Sequence, residues 1–378
     1  MDKNKIRVAF FGDDFSRQGK GTALVIQKIV EELVERHSDE VEVILLRPEG
    51  TCDSPICQKV QHILIRRRYS TLLSYLWFFI THRARYDCVV FNRVVYPGFW
   101  FLRSKKKILV LHDASVSEVY EVPRTTVNHL FEGFFRYVGQ YFLDFVIGDT
   151  EDARIWISRY FSVPIKKVRT LYLSATDDYR QHSHGERSQL AQKLEELYSL
   201  NVPYILDISR FDPHKNILRV LDAFFLFKEN DKSPHSLVFV GGRHTPDYSD
   251  EVEEKIASSK FRDSVRILNY VKIEDMPTMY ACADVLLYPS LVEGFGLPVI
   301  EAMKSGTPVI TSNVSCLPEV AGGAALLVDP LDPGSIAGAI QKLLSDRSLR
   351  IELIDKGVRR AASFSWEKSA QTFLGFCR

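Results

Sequence analysis

The chain has 378 residues, 46% of them apolar and 26% charged, with a formal net charge of +1. That length exceeds one comfortable core and points to two domains. The composition is that of a soluble globular protein, and the small net charge excludes a strongly basic nucleic-acid binder while leaving room for a locally basic face. No apolar run approaches the ~20 residues that cross a bilayer. The opening Met-Asp-Lys-Asn-Lys leads straight into an apolar strand, so no secretory signal is expected. Cys52, Cys57, Cys88, Cys282, Cys316 and Cys377 show no metal-type pairing, and free thiols in a reducing cytoplasm are expected.

In chain order, 6–11 (I-R-V-A-F-F) reads as a buried strand, followed by a loop containing Asp13, Asp14, Gly19 and Gly21. Apolar residues at helical spacing predict a helix over 23–34, and 41–46 is the second strand. Strand, glycine loop, helix, strand is the start of a doubly wound α/β fold. Gly19 and Gly21 suit a close ligand approach or a plain tight turn. Two adjacent acids at a strand end cap or solvate more often than they bind metal.

Over 59–112 basic residues (Lys59, Arg66, Arg67, Arg68, Arg83, Arg85, Arg93, Arg103, Lys105, Lys106, Lys107) interleave with aromatic and apolar ones, and Asp87 is the only acid. This pattern suits an anionic membrane surface; the plainer reading is a core with solvated arginines. Single-stranded nucleic acid also uses basic-aromatic surfaces, but no nucleic-acid-binding motif accompanies this one. Strands are predicted at 87–91 and 108–111, the second ending at His112, where parallel sheets bind ligands. A long helix over 131–147, a short strand and a strand at 168–173 close the first half. Residues 176–200 read as a polar linker plus a charged helix. His182 and His184 lie there without a third metal ligand nearby, so a solvated loop is favoured.

The second half repeats this grammar. Strands are predicted at 204–208, 237–240, Val265–Leu268, Val285–Tyr288, 307–311 and Leu326–Val328. Helices are predicted at 217–227, Met276–Cys282, 297–306, 333–344, 349–362 and 365–378. Two α/β halves predict two domains over a cleft. Glu293, Gly294, Phe295 and Gly296 form a glycine loop, and Leu297-Pro298 opens a helix whose first amides have no partner inside it. Glu293 and Glu301, with seven residues between them, are acceptors suited to sugar hydroxyls. The loop thus offers donors for a phosphate and acceptors for a polyol. Arg210 and Lys215 flank another strand–helix loop and are suited to the charge of a departing diphosphate.

Together these residues resemble the large glycosyltransferase family usually called family 4, of the GT-B fold. The motifs are Glu293-Gly294-Phe295-Gly296-Leu297-Pro298 through Glu301 (E-x7-E), Ser209-Arg210…Lys215-Asn216, Val240-Gly241-Gly242, Ala283-Asp284…Pro289-Ser290, Leu317-Pro318-Glu319-Val320 and the tail 364–370. They stand in the family's order, most strongly from Ile205 onward.

The resemblance implies two facing Rossmann-like, doubly wound domains with an interdomain cleft. Residues 1–175 would be the N-terminal acceptor-side domain, 176–200 the linker and first helix, and 201–364 the C-terminal nucleotide-sugar domain. The terminal helix, 365–378, would cross back to the first domain. It implies catalytic roles for Glu293, His112, Arg210 and Lys215, with Arg210 and Lys215 on the diphosphate. Glu301 would hold the ribose and Glu293 the donor sugar. The amides of Gly294, Phe295, Gly296 and Leu297 would meet sugar and phosphate, the backbone at Tyr270 and Val271 would face the base, and Gly241 and the Gly19/Gly21 loop would line the donor. Retention at the anomeric carbon and no metal or other cofactor are implied.

This chain departs from the family in four places: Lys20 separates Gly19 and Gly21, Asn269 replaces a glycine, Ser174 an asparagine and Cys316 a serine. The first puts the phosphate contact of that loop in question. The leading expectation is a retaining hexosyltransferase on the cytoplasmic face of the membrane, peripheral to it. It would act on a glycan or lipid-linked acceptor in polysaccharide, lipopolysaccharide or other glycolipid synthesis. GDP-mannose is the favoured donor, against UDP-glucose, UDP-N-acetylglucosamine and dTDP-rhamnose. A phosphorylase or epimerase, and a non-catalytic sugar-nucleotide-binding or membrane-docking protein, are the alternatives.

Overall fold

The computed structural model describes residues 5–11, 22–48, 55–66, 71–92, 98–112, 137 and 139–378. Two compact units result. One comprises the described residues up to 112, those between 137 and 173, and Ser365–Arg378; the other is Ser174–Phe364. The calls on Asp13, Asp14, Gly19, Gly21, Arg67, Arg68, Arg93 and 131–136 lie outside the described residues.

In the first unit β1 (Ile6–Phe11), β2 (Val41–Pro48), β3 (Gln61–Ile65), β4 (Arg85–Asn92), β5 (Arg103–Val110), β6 (Phe145–Gly148) and β7 (Val168–Thr170) form one sheet in the order β3-β2-β1-β4-β5-β6-β7. Every pairing is parallel. A parallel sheet covered on both faces needs near-continuous apolar strands; Val8, Ala9, Phe10 and Phe11 of β1 are all buried. Helices α1 (Thr22–Arg36), α2 (Thr71–Thr81) and α3 (Glu151–Tyr160) belong to this unit. The terminal helix Trp366–Cys377 does too. Its Phe373 ring stacks on Phe10 at 5.6 Å, and Ser369 donates to the Tyr172 carbonyl at 2.6 Å.

The second unit carries β8 (Tyr204–Phe211), β9 (Ser236–Arg243), β10 (Val265–Leu268), β11 (Val285–Tyr288), β12 (Val309–Ser312) and β13 (Leu326–Val328) in the order β10-β9-β8-β11-β12-β13. These pairings are also parallel. This is the doubly wound order in which the chain reverses direction between its first and fourth strands, here β8 and β11, and ligands bind beyond the carboxyl ends of strands at such a point. Its helices are α4 (His184–Tyr198), α5 (Ile217–Asn230), α6 (Pro246–Ser258), α7 (Met276–Cys282), α8 (Leu297–Lys304), α9 (Leu317–Ala321), α10 (Pro333–Ser345) and α11 (Arg347–Ala361). Val220, Phe224 and Phe227 of α5 and Ile336, Ile340 and Leu343 of α10 pack with Ile205, Leu237, Phe239 and Leu287 of the sheet in one core.

The structure corrects several expectations. Residues 145–147 are strand rather than helix end, since Phe145, Val146 and Ile147 pair with β5 and Val146 and Ile147 also with β7. The strand expected over 168–173 stops at Thr170, the last residue paired with β6. The helix expected within 176–200 is α4, which packs in the second unit: Arg187 donates to the Cys282 and Ala283 carbonyls and Lys193 pairs with buried Asp275 at 2.5 Å. That helix ends at Tyr198, where Ser199 turns left-handed with φ 49°. Cys57 is disulfide-bonded, its side chain buried in the 3-10 turn Pro55–Gln58, while Cys88, Cys282, Cys316 and Cys377 are free.

Residues 59–112 combine core and surface. On α2, Tyr75 and Phe79 are buried one turn apart, while Leu73, Trp77 and Ile80 are exposed along another face. No helix among the described residues is long and apolar enough to cross a membrane.

Candidate functional site

The β8–α5 and β11–α8 loops leave adjacent strands at the reversal point and are sewn together by the chain. Asn216, left-handed at φ 64°, is buried and donates its amide to the carbonyls of Pro289 (3.1 Å) and Pro330 (2.7 Å). The Leu291 amide donates to the His214 carbonyl at 2.8 Å. This brings Lys215 onto Glu293: Lys215 Nζ lies 2.6 Å from Glu293 Oε1 and 2.7 Å from the Tyr288 hydroxyl, which donates to the same Oε1 at 2.8 Å. Burial pushes the Glu293 carboxyl up, but the Lys215 ammonium, together with Ser290 and His214, holds the group below its usual range.

The Glu293 backbone is pinned from beyond β12. Its N–H donates to Ser315 Oγ, and Cys316 Sγ donates to its carbonyl at 3.2 Å. Cys316, a departure from the family's serine, therefore keeps a donor at this position. Gly296 precedes α8 at φ 87°, and a Cβ there would come within 2.7 Å of Leu317 Cδ2. Pro298, in the first turn of α8, has no N–H to contribute at this helix start.

Glu301, on the second turn of α8, accepts from the Tyr280 hydroxyl at 2.6 Å and is also hydrogen-bonded by Tyr179. Burial raises its pKa while the two hydroxyls pull it back. The tyrosine rings meet edge to face at 5.5 Å. Tyr179, Tyr280 and Tyr288 were not singled out from the sequence; each is distant along the chain from the carboxylate it serves or lies inside an apolar run.

Arg210 ends β8 with its side chain largely exposed. It stands with Asp212 and His244, its Nη1 lying 3.1 Å from His244 Nε2. At Gly241, φ is 133° and a Cβ would sit 2.5 Å from the Ser209 carbonyl oxygen, so only glycine lets β9 end this close to β8. Val271 is buried, and Tyr270 is 76% exposed, leaving its ring face open to solvent. Beneath the Lys215–Glu293 pair, the fully buried Asp207 finds no partner in good geometry for either carboxyl oxygen. Burial drives its pKa to about 7, with Ser209 and Lys215 opposing that shift and Glu293 adding to it.

In the first unit, buried His112 stands just beyond β5, its Nδ1 3.1 Å from both oxygens of buried Asp149 beyond β6. His182 lies 3.7 Å from Glu186, and the described residues hold no cluster of metal-ligating side chains.

Two parallel doubly wound units of this kind define the GT-B fold. The chain superposes on sucrose-phosphate synthase (tll1590) from Thermosynechococcus elongatus with a TM-score of 0.75, at 20% identity over 98% of both chains. It superposes on Anabaena Alr3699/HepE, solved with UDP and glucose, with a TM-score of 0.76, at 16% identity over 98% of this chain and 99% of that one. Residues 192–360 match the family "Glycosyl transferases group 1". The chain is 30% identical to O-antigen chain mannosyltransferase B of Escherichia coli over 349 residues, 91% of this chain and 90% of that one. The protein belongs to the group 1 glycosyltransferases.

Proposed function

We propose that the protein moves a hexose, with retention at the anomeric carbon, from a nucleoside-diphosphate sugar to a glycan or lipid-linked acceptor in cell-surface polysaccharide synthesis. GDP-mannose is the favoured donor. The observation that carries this reading is the Lys215–Glu293–Tyr288 cluster at the β8/β11 reversal point, beside the amide-bearing start of α8. The Lys215 ammonium and the Glu293 carboxylate are hydrogen-bonded to each other. A donor separates their duties, with Lys215 turning to the diphosphate and Glu293 accepting from sugar hydroxyls.

Glu301 accepts from the ribose on the oxygen valences that Tyr280 and Tyr179 leave, and Tyr270 offers its exposed ring to the base. Arg210 and Lys215 stabilise the charge that grows on the departing diphosphate, work that needs no metal ion. His112, held by Asp149, is assigned to the donor sugar. The mannosyl choice rests on the similarity to O-antigen chain mannosyltransferase B along most of both chains.

A peripheral seat on the cytoplasmic membrane face is part of the proposal. Leu73, Trp77 and Ile80 of α2 and Phe101 before β5 are exposed, and Arg83, Arg85 and Arg103 are exposed at the starts of β4 and β5. Exposed apolar side chains and exposed cations in the same stretch of chain suit an anionic lipid surface.

The test is a thermal-shift screen with GDP, UDP and dTDP, followed by transfer assays with the matching sugar nucleotides and EDTA. GDP alone should raise the melting temperature, and EDTA should leave the rate unchanged. Stabilisation by UDP or dTDP instead would move the donor, and no response or turnover with any of them would overturn the reading. Arg210→Ala should mainly slow transfer, and His112→Ala should lower kcat with little change in GDP affinity. Co-sedimentation with phosphatidylglycerol vesicles but not phosphatidylcholine vesicles, lost in Trp77→Ser, tests the membrane seat.

A further inference from the structure

Beside Arg210 lies an arrangement that the family motifs do not include. The β8–β9 register pairs Arg210 with Gly242 and Phe211 with Arg243, so the next residues, Asp212 and His244, meet just past the sheet. Asp212 is buried, and its Oδ1 takes His244 Nδ1 at 2.6 Å and the Thr245 hydroxyl at 2.5 Å. Its Oδ2 lies 3.5 Å from Arg210 Nε. His244 Nε2 stands 3.1 Å from Arg210 Nη1. A guanidinium can only donate, so Nε2 is the acceptor of that bond; a carboxylate can only accept, so Nδ1 carries the hydrogen. The two neighbours thus fix one neutral tautomer. The His244 amide is itself held by Ser249 Oγ at 3.2 Å.

We propose that His244 is a positioning residue for the donor diphosphate: Asp212 sets its tautomer, and its Nε2 holds the Arg210 guanidinium in one orientation at the end of β8. Arg210 is long and mostly exposed, and such a side chain loses rotamer freedom when it grips a ligand. A hydrogen bond made in advance removes part of that cost and leaves the remaining N–H groups free to form a fork on phosphate oxygens. Sequence spacing hides the device, since 34 positions separate Arg210 from His244.

The inference rests on the donor-site reading above. The experiment measures affinity for GDP, UDP and dTDP, and kcat and KM for the matching sugar nucleotide, in the native protein and in His244→Phe, His244→Gln, Arg210→Ala and the double variant Arg210→Ala/His244→Phe. Phenylalanine keeps the ring volume without the acceptor; glutamine can place an oxygen near the Nε2 position. His244→Phe is expected to act in the same direction as Arg210→Ala but less strongly, weakening diphosphate binding and lowering kcat/KM for the donor about tenfold, with the unfolding midpoint nearly unchanged. His244→Gln is expected to recover most of the loss. In the Arg210→Ala background the His244→Phe change should have no further effect.

Equal affinities in native protein and His244→Phe, or the same loss with and without Arg210, would overturn the positioning role while leaving the donor site standing. If the native protein binds none of the three nucleotides, the donor-site reading itself fails and takes this inference with it. The ring nitrogen shifts of His244 give a check independent of any donor: Nδ1 should be the protonated nitrogen, and Asp212→Ala should weaken that preference.

Discussion

Lys215 Nζ and Glu293 Oε1 lie 2.6 Å apart in side chains that are only 14% and 10% exposed. Removing one partner from such a pair strands a buried charge, whereas removing both does not. Lys215→Met alone is therefore expected to destabilise the fold by about 3–5 kcal/mol, and the double variant Lys215→Met/Glu293→Gln to be the more stable of the two. Urea denaturation of the single and double variants measures this, and equal losses would show that the pair is not coupled.

Glu301 is held by two tyrosine hydroxyls, one at 2.6 Å. Glu301→Gln keeps the volume but exchanges a charged acceptor for a neutral amide. Nucleotide affinity is expected to fall roughly 10–100-fold, the value of hydrogen bonds to a charged group, with kcat less affected. Tyr280→Phe should give a smaller loss of the same kind. Calorimetric titration with the nucleotide chosen by the thermal-shift screen decides this, and unchanged affinity in Glu301→Gln would remove Glu301 from the site.

Asp207 titrates near pH 7 in the folded chain, against ~3.9 for an unfolded aspartate. The folded state therefore holds a proton that the unfolded state has released between these values, and stability from this group falls as pH rises from ~4 to ~7. Asp207→Asn removes the charge and the slope. The variant is expected to match the native protein near pH 4 and to exceed it at pH 8, by up to ~4 kcal/mol. Unfolding free energies compared across that range test this, and a native-minus-variant difference independent of pH would refute it.

Gly241→Ala forces a Cβ to 2.5 Å from the Ser209 carbonyl oxygen at φ 133°. The obstruction is backbone, so no side chain can swing away. A loss of about 1–3 kcal/mol in stability is expected, together with weaker nucleotide binding as the β8 and β9 ends part. A melting temperature equal to native would contradict the tight strand approach.

Much of the second unit was legible in the residues. Val285–Tyr288 stands where its apolar run and the proline after it put it, because a buried parallel strand must be continuously apolar, and Val265–Leu268, Met276–Cys282 and Leu326–Val328 also have the predicted bounds. Helices α2, α3 and α6 were not legible. The α2 run T-L-L-S-Y-L-W-F-F-I-T is apolar nearly all round, so no helical period emerges against its basic flanks. In α6 only Ser249 and Val252 are buried, so there is almost no apolar stripe to read.

The E-x7-E loop, its glycines and the Arg210/Lys215 loop were fixed by the sequence as a set of chemical types: anion donors, hydroxyl acceptors and two cations. The contacts among them were decided by the fold. Parallel strands placed β8 beside β11, which put Lys215 against Glu293 across 78 positions of chain. They also placed β9 beside β8, which put His244 against Arg210. Local patterns specify elements because backbone hydrogen bonding and burial act within a few residues. The partner of a charged side chain is set by strand order, which no local pattern records.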